Sequence, residues 1–356
     1  MKVVVACGGT GGHSFPGLAV ASELKRRGDD VTVWMSGRAV ESSVLKGWDG
    51  PVFSTGARQL HPRYALSILL SVYRCWREMR RARPDALLAM GSYSSLPPVL
   101  AARICGVRVV LHEANTVPGR AVEFLAHFAD KVAVSFASTI SLFPPGQAEL
   151  TGLPVRAEIA GGTRLVEVPS DAFVIFVTGG SQGAHAVNLL ATDAIAKLKR
   201  ALETRPDARP LYVIHQTGVK DESFVRAAYR AAGVEARVNA FEYEMANAFA
   251  TADIVIARAG ASTCFELAAC GKPAFFIPLP TAMRDHQRFN AEAFVAKGAA
   301  DSGNQSMLSA KTLKEYLLAR VDNPASLAEM SLKMRSLATP DAAARVADLV
   351  RLAVAV

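Results

Sequence analysis

Two stretches have the residue types and spacing for phosphate chemistry: VVVACGGTGGH at residues 3–13 and FVIFVTGGSQGAH at 173–185. Each is an apolar, β-branched run that breaks into glycines and resumes as a helical pattern. Glycine lets the backbone approach a ligand closely, and the first helical N–H groups, with the helix dipole, favour an anion there. A tight strand-to-helix turn selects glycine for its own sake, so one such loop is ambiguous; two at equivalent places favour binding. Neither is a standard dinucleotide or ATP site. In Gly9-Thr10-Gly11-Gly12-His13-Ser14 a serine takes the third glycine of GxGxxG, and Ser36-Gly37 follows the second strand where a ribose-binding carboxylate belongs. The second loop lacks the Lys-Ser/Thr pair of a Walker A sequence.

Beside these loops stand groups able to move protons or hold hydroxyls. His13 lies in the first turn of the helix after the first loop. A helix N-terminus lowers a histidine's pKa, keeping it neutral and able to deprotonate a sugar hydroxyl; a capping or structural histidine is the plain alternative. Glu266 ends Arg258-Ala259-Gly260-Ala261-Ser262-Thr263-Cys264-Phe265-Glu266, after a strand and near a helix start. A carboxylate there can accept two hydrogen bonds from ribose hydroxyls at the carboxyl edge of a parallel sheet. Thr263-x-x-Glu266 also fits a capping box, which alone would account for the glutamate. Asp285-His286-Gln287-Arg288-Phe289-Asn290 opens another helix with polar groups suited to sugar hydroxyls, or to a solvated first turn.

The elements that must position these groups alternate as strand and helix throughout, the pattern of parallel βαβ units. Strands are expected at Val3–Ala6, Val31–Met35, Ala86–Ala89, Arg108–Leu111 and Lys131–Val134. A second set is expected at Phe173–Thr178, Leu211–His215, Arg237–Asn239, Ile254–Ala257 and Ala274–Ile277. Helical patterns at His13–Arg27, Ala184–Arg200, Phe224–Ala232 and Gln287–Lys297 fit between them. The halves echo each other through Gly8 and Gly179, which predicts an α/β chain of two Rossmann-like domains with parallel sheets. The boundary is expected between Pro144 and Pro154.

With 356 residues, 51% hydrophobic and 20% charged, the chain is long enough for two domains and has a globular composition. The net charge of +8 favours acidic partners: nucleic acid, anionic lipid and phosphorylated small molecules all qualify. Five cysteines without a CxxC pair argue against a disulfide framework or zinc site. The opening MKVVVACGG does not read as a signal peptide, and no transmembrane helix is expected. Tyr64–Arg83 reads as one helix with Tyr64, Ile68, Val72, Trp76 and Met79 on one face and arginines 74, 77, 80, 81 and 83 around it, with Arg58 and Arg63 upstream. A basic amphipathic helix with a tryptophan suits an anionic bilayer, and equally a core-facing helix with solvated arginines.

Together the motifs resemble the MurG family, two-domain GT-B glycosyltransferases of family 28. The markers run in order as GGTGGHSFPGLA (8–19), MGSYSSLPPVLAA (90–102), HEANTVPG (112–119), TGLPVR (151–156), TGGSQGA (178–184), FEYEMANAFATADIVIARAGASTCFELAA (241–269) and DHQRFNA (285–291), across nearly the whole chain. The resemblance implies an inverting transfer of N-acetylglucosamine from UDP-N-acetylglucosamine to the C4 hydroxyl of undecaprenyl-linked lipid I. It implies an acceptor domain of residues 1–155 with 340–356 and a donor domain of 156–339, facing across a cleft. Ser181 and Arg156 would meet the UDP diphosphate. Glu266 would hold the ribose beside Ala261, Ser262, Thr263, Cys264 and Phe265, and Phe241 and Glu242 would border the uracil through their backbone. Gln287 with Arg288 would bind the sugar, Thr10, Gly11, Gly12 and Asn115 would line the acceptor side, and His13 would be the general base. No metal or other cofactor would be obligatory, though a divalent cation would be compatible. The setting implied is the cytoplasmic face of the bacterial plasma membrane, held peripherally through the Tyr64–Arg83 region, with no nucleic acid partner.

Three positions depart from the family pattern. Ser92 replaces a glycine, so a stiffer acceptor loop is expected; Arg288 replaces Gln or Thr, so the sugar contacts should differ. Glu242 replaces an apolar residue, which a backbone contact tolerates. A diacylglycerol glycosyltransferase, a UDP-N-acetylglucosamine 2-epimerase and a nucleotide-sugar binding protein without turnover are the competing readings. The GGTGGH and HEANTVPG markers favour the lipid I transferase over the first two, and His13, Arg156, Glu266 and Gln287 together count against the third.

Overall fold

The computed structural model describes residues 1–9, 11–38, 41, 45, 47–57 and 65–355; Thr10, Arg58, Arg63 and Tyr64 lie outside these. The chain forms two compact units, Met1–Arg156 with Thr339–Val356, and Ala157–Ala338. Both are parallel-sheet α/β domains.

The first unit's strands are β1 (Lys2–Ala6), β2 (Asp30–Met35), β3 (Val52–Ser54), β4 (Ala86–Ala89), β5 (Arg108–Glu113), β6 (Lys131–Val134) and β7 (Ala148–Leu150). They pair in the order β3-β2-β1-β4-β5-β6-β7. Successive side chains of β1 go to opposite faces. Val3, Val5 and Cys7 join Val20, Ala21 and Leu24 of helix Gly11–Arg26, and Val346, Leu349 and Val350 of helix Ala342–Ala355. Val4 and Ala6 join Cys75 and Met79 on the other face. Burial on both faces explains why these strands read as continuous apolar runs.

The second unit has β8 (Phe173–Thr178), β9 (Leu211–Gln216), β10 (Glu235–Asn239), β11 (Ile254–Ala257), β12 (Ala274–Phe276) and β13 (Ala300–Ser302), ordered β10-β9-β8-β11-β12-β13. Every residue of β8 is buried. Its Phe173, Ile175 and Val177 pack with Val187, Ala191, Ile195 and Leu198 of helix His185–Glu203. In each sheet the strand order reverses beside the strand that carries a glycine loop: between β1 and β4, and between β8 and β11. Ligands of open α/β sheets bind at such switch points, beyond the carboxyl ends of the strands.

The helix expected at Tyr64–Arg83 is described over Ala65–Ala82. Its surface differs from the one the periodicity selected. Cys75 and Met79 are in the core, Ile68, Val72 and Trp76 are half-buried, and the exposed apolar side chains are Leu66, Leu69, Leu70 and Tyr73. Ile68, Val72 and Trp76 border the buried seam Ser71-Cys75-Met79, so the solvent-facing stripe lies further round the helix.

Candidate active site

In the first unit, β1 delivers the first glycine loop and helix Gly11–Arg26 to the switch point. Ser14 Oγ donates to the Cys7 carbonyl at 2.7 Å, and a Cβ on Gly17 would lie 2.3 Å from Cys7 Cβ, so strand and helix meet backbone to backbone. The loop is held from behind by Glu41, a buried carboxylate the sequence reading passed over. It accepts the N–H groups of Gly9 (2.8 Å), Ser36 (3.2 Å), Gly37 (2.7 Å) and Arg38 (3.1 Å), and the Ser36 hydroxyl. Although burial acts to raise its pKa, the bonds from Ser36, Gly9, Gly37 and Arg38 hold it below the usual range. The carboxylate missing from the end of β2 is therefore present, spent on the loop itself.

His13 is the third residue of its helix, and a Cβ on Gly91 would sit 3.8 Å from its Cδ2. Burial pushes its pKa down from 6.5 to about 4, so it is neutral near pH 7. Desolvation thus acts on the ring in the same direction as the helix terminus. His112 lies close enough for the two rings to interact; it too is lowered to about 4, by burial first, with the charge of His13 adding to the effect. His112 Nε2 is 3.3 Å from the Gly152 carbonyl.

Two further loops end at this edge. Ser92 has φ 66 and ψ 165, its Oγ accepts Ser94 N–H at 3.2 Å, and Ser94 Oγ donates to the Gly8 carbonyl at 2.5 Å, tying the β4 loop to the first glycine loop. After β5, buried Glu113 accepts Asn115 N–H (2.8 Å), Asn115 Nδ2 (3.0 Å) and Gly119 N–H (3.0 Å), shaping the turn that presents Asn115. Gly11, Gly12, His13 and Asn115 thus share one sheet edge. Arg156 also falls in this unit, its guanidinium 4.1 Å above the Phe15 ring.

The second unit builds its edge the same way. Ser181 lies in the turn after β8. Gly183 has φ 71, and a Cβ there would come within 2.0 Å of the Thr217 carbonyl, so this loop closes on the end of β9 only with glycine. After β11, helix Ala261–Cys270 starts with Gly260 as N-cap. That places Thr263 at N3 and Glu266 in the second turn, so Thr263-x-x-Glu266 is not a capping box. Glu266 therefore stands one turn inside helix Ala261–Cys270, beyond the carboxyl end of β11 at the switch point.

Phe241 and Glu242 follow β10. Glu242 is buried, yet well compensated: it accepts Arg237 Nη2 (2.9 Å), Arg237 Nε (3.1 Å), Asn239 Nδ2 (3.1 Å) and Glu244 N–H (2.9 Å). Arg237 also bridges Glu167 and Glu244 at 2.7 Å each. This departure from an apolar residue is a staple for the segment. Gln287 Oε1 accepts Leu279 N–H at 3.0 Å, fixing the loop after β12 against helix His286–Val295. Arg288 turns to Asp285 and to Glu292 (2.6 Å), and lies 4.2 Å over Phe289. It closes the turn in which Arg284 and Asp285 both hold positive φ.

A family model for the glycosyltransferase family 28 N-terminal domain matches residues 3–134, and one for the family 28 C-terminal domain matches 174–346. The UDP-N-acetylglucosamine--N-acetylmuramyl-(pentapeptide) pyrophosphoryl-undecaprenol N-acetylglucosamine transferase of Citrifermentans bemidjiense is 38% identical over 96% of this chain and 97% of its own. The protein of that name from Geobacter sp. (strain M21) is 39% identical over 96% and 94%. Among solved structures, Acinetobacter baumannii MurG superposes with a TM-score of 0.78 at 32% identity over 99% of both chains. The Neisseria meningitidis UDP-GlcNAc 2-epimerase reaches a TM-score of 0.74 at 12% identity over 99% and 100%, a likeness of fold alone.

Proposed function

The chain belongs to glycosyltransferase family 28, and from that premise we propose that it transfers N-acetylglucosamine from UDP-N-acetylglucosamine to lipid I, giving lipid II for peptidoglycan synthesis. The observation that carries this reading is the 38% identity sustained over 96% of the chain to a transferase named for that reaction. In the proposed step the muramyl C4 oxygen attacks the anomeric carbon as its bond to the diphosphate breaks. UDP leaves with the electron pair, the centre inverts to a β1→4 bond, and His13 takes the hydroxyl proton. Its neutral form supports that role. The departing charge falls to Arg156, Ser181 and the N–H groups at the start of helix Ala261–Cys270, which need no obligatory metal. Glu266 holds the ribose, Phe241 and Glu242 border the uracil, and Gln287, with Arg288 beside it, binds the sugar. Gly11, Gly12 and Asn115 line the acceptor side.

The acceptor's polyprenyl chain requires a membrane surface, here the cytoplasmic face of the plasma membrane. No described helix is long and apolar enough to cross a bilayer, and Leu66, Leu69, Leu70 and Tyr73, flanked by Arg74, Arg77, Arg80 and Arg81, suit a peripheral contact with anionic lipid. The test is transfer of radiolabelled N-acetylglucosamine from its UDP donor to a lipid I analogue, beside a diacylglycerol control. Product with the lipid I analogue alone is expected; product with diacylglycerol alone would keep the donor half and overturn the acceptor.

A further inference from the structure

Gln216 ends β9 and is buried, at 1% exposure. Its amide reaches in two directions. Nε2 donates to the Gly180 carbonyl at 2.7 Å, within the second glycine loop, and Oε1 accepts the Glu242 backbone N–H at 3.4 Å, in the segment that carries Phe241. A primary amide presents a donor and an acceptor at the same time, so it can satisfy a carbonyl and an N–H together; a carboxylate or an alkyl group cannot. Each of the two segments is fixed from its far side as well. Asn188 Nδ2 donates to the Thr217 carbonyl at 2.8 Å where Gly183 packs against it, and Arg237 with Asn239 holds the Glu242 carboxylate. Gln216 links one anchored loop to the other.

We propose that Gln216 is a positioning residue that couples the diphosphate and nucleobase halves of the donor site, fixing their spacing before the donor arrives. The inference rests on the reading of the second unit as the UDP-sugar site. A ligand that touches both segments gains from a spacing set in advance, because it need not bear the cost of ordering them. A ligand that touches one segment gains much less.

The experiment compares the wild-type chain with Gln216→Leu and Gln216→Glu, by calorimetric titration of UDP and UMP, ligand-observed NMR of uridine, and thermal melts of each variant. Gln216→Leu should bind UDP about tenfold more weakly, the scale of one lost buried hydrogen bond, with a smaller loss for UMP and little change for uridine. The donor KM should rise with kcat at saturation near wild type. Equal losses for all three ligands would make Gln216 a general packing residue, and unchanged UDP affinity would remove it from the site; either result overturns the proposal. Gln216→Glu guards against a Leu variant that fails to fold. Its ionised carboxylate opposes the Gly180 carbonyl, whereas its protonated form donates to it, and burial raises a carboxyl pKa toward neutrality. Relative to wild type at each pH, a ratio that cancels the titration of UDP's own terminal phosphate at about pH 6, UDP affinity of this variant should recover as pH falls from about 8 to about 6; a constant ratio overturns the coupling role. Wild-type protein without UDP affinity would take down the donor reading and the inference together, whereas UDP-binding wild type with unaffected variants takes down the inference alone.

Discussion

Ser92 holds a backbone conformation, φ 66 and ψ 165, that glycine adopts freely and other residues only under strain. Such strain costs about 1–3 kcal/mol. Against it stand the Oγ contact to Ser94 N–H, about 1 kcal/mol, and the lower unfolded-state entropy of a non-glycine residue, about 0.4–1 kcal/mol. Ser92→Gly should therefore be neutral or slightly stabilising in a denaturant melt, whereas Ser92→Ala keeps the strain, loses the contact and should destabilise by about 1 kcal/mol. Alanine as the more stable variant would mean that the angle carries no strain. His13 gives a kinetic counterpart. As the proposed base it must be deprotonated, and its pKa of about 4 places the acid limb of kcat/KM well below the ordinary histidine value of 6.5. His13→Ala should lower kcat by about 10²- to 10⁴-fold at unchanged UDP-sugar affinity. A limb near 6.5, or donor binding that falls with kcat, would assign the base elsewhere. Glu266→Ala, by contrast, should raise the donor KM, as loss of a ribose-binding carboxylate requires; an unchanged KM would leave it outside the ribose site.

At the scale of elements, what the sequence disclosed follows burial. The central strands of both sheets are apolar on both faces and were legible as runs. The strands without a sequence signal are β3, β7 and β13, each three residues long at a sheet edge, where Val52–Ser54 and Ala148–Leu150 have no buried side chain. With one neighbour and a solvated face, pairing rather than burial makes such strands, and pairing leaves no local pattern. The same limit applies to the site. Loops carrying glycines and catalytic residue types were visible, but the polar groups that hold them, Glu41 and Gln216, sit where long-range hydrogen bonds form and stand out only once the fold is known. Periodicity also placed the apolar face of helix Ala65–Ala82 beside its true position. Leu69 and Leu70, 65% and 55% exposed, touch little of the core. Changing both to Ser should leave the melting temperature nearly unchanged, since exposed sites away from special features shift stability by about 0.5 kcal/mol or less. Inserted into a bilayer each leucine contributes up to about 1.5–3 kcal/mol, so binding to anionic vesicles in a sedimentation assay should drop at least about tenfold. Full vesicle binding by the double variant would move the membrane contact to another surface.

Taken as a whole, the molecule repeats one device: a parallel sheet whose order reverses beside a glycine loop, with buried polar side chains bracing the loop from below. That device puts ionisable groups inside, and their titration links site architecture to the stability of the entire chain. Burial lowers His13 and His112 from 6.5 to about 4 and His215 to about 3. His215 lies between Tyr229 Oη at 2.9 Å and the Asn188 side-chain oxygen at 3.1 Å, under the second glycine loop. An unfolded chain binds these protons from pH 6.5 downward while the native state refuses them until about 4 or lower. The stability these groups contribute is therefore complete above pH 6.5 and is lost progressively as pH falls toward 4. Glu113 acts in the opposite sense, because burial raises its pKa and the folded state takes its proton first, which opposes the histidine effect. Glu23 and Glu41, held low by hydrogen bonds, add their loss only below the ordinary carboxylate value of 4.5. The melting temperature should thus begin to fall between pH 6.5 and 5, before the hydrogen-bonded carboxylates Glu23 and Glu41 titrate, and should fall in both units because the buried His112 and His215 serve one sheet edge each. A melting temperature that stays level down to pH 5 would mean that these rings accept protons in the folded state, and the neutral His13 on which the proposed proton transfer depends would have to be given up with them.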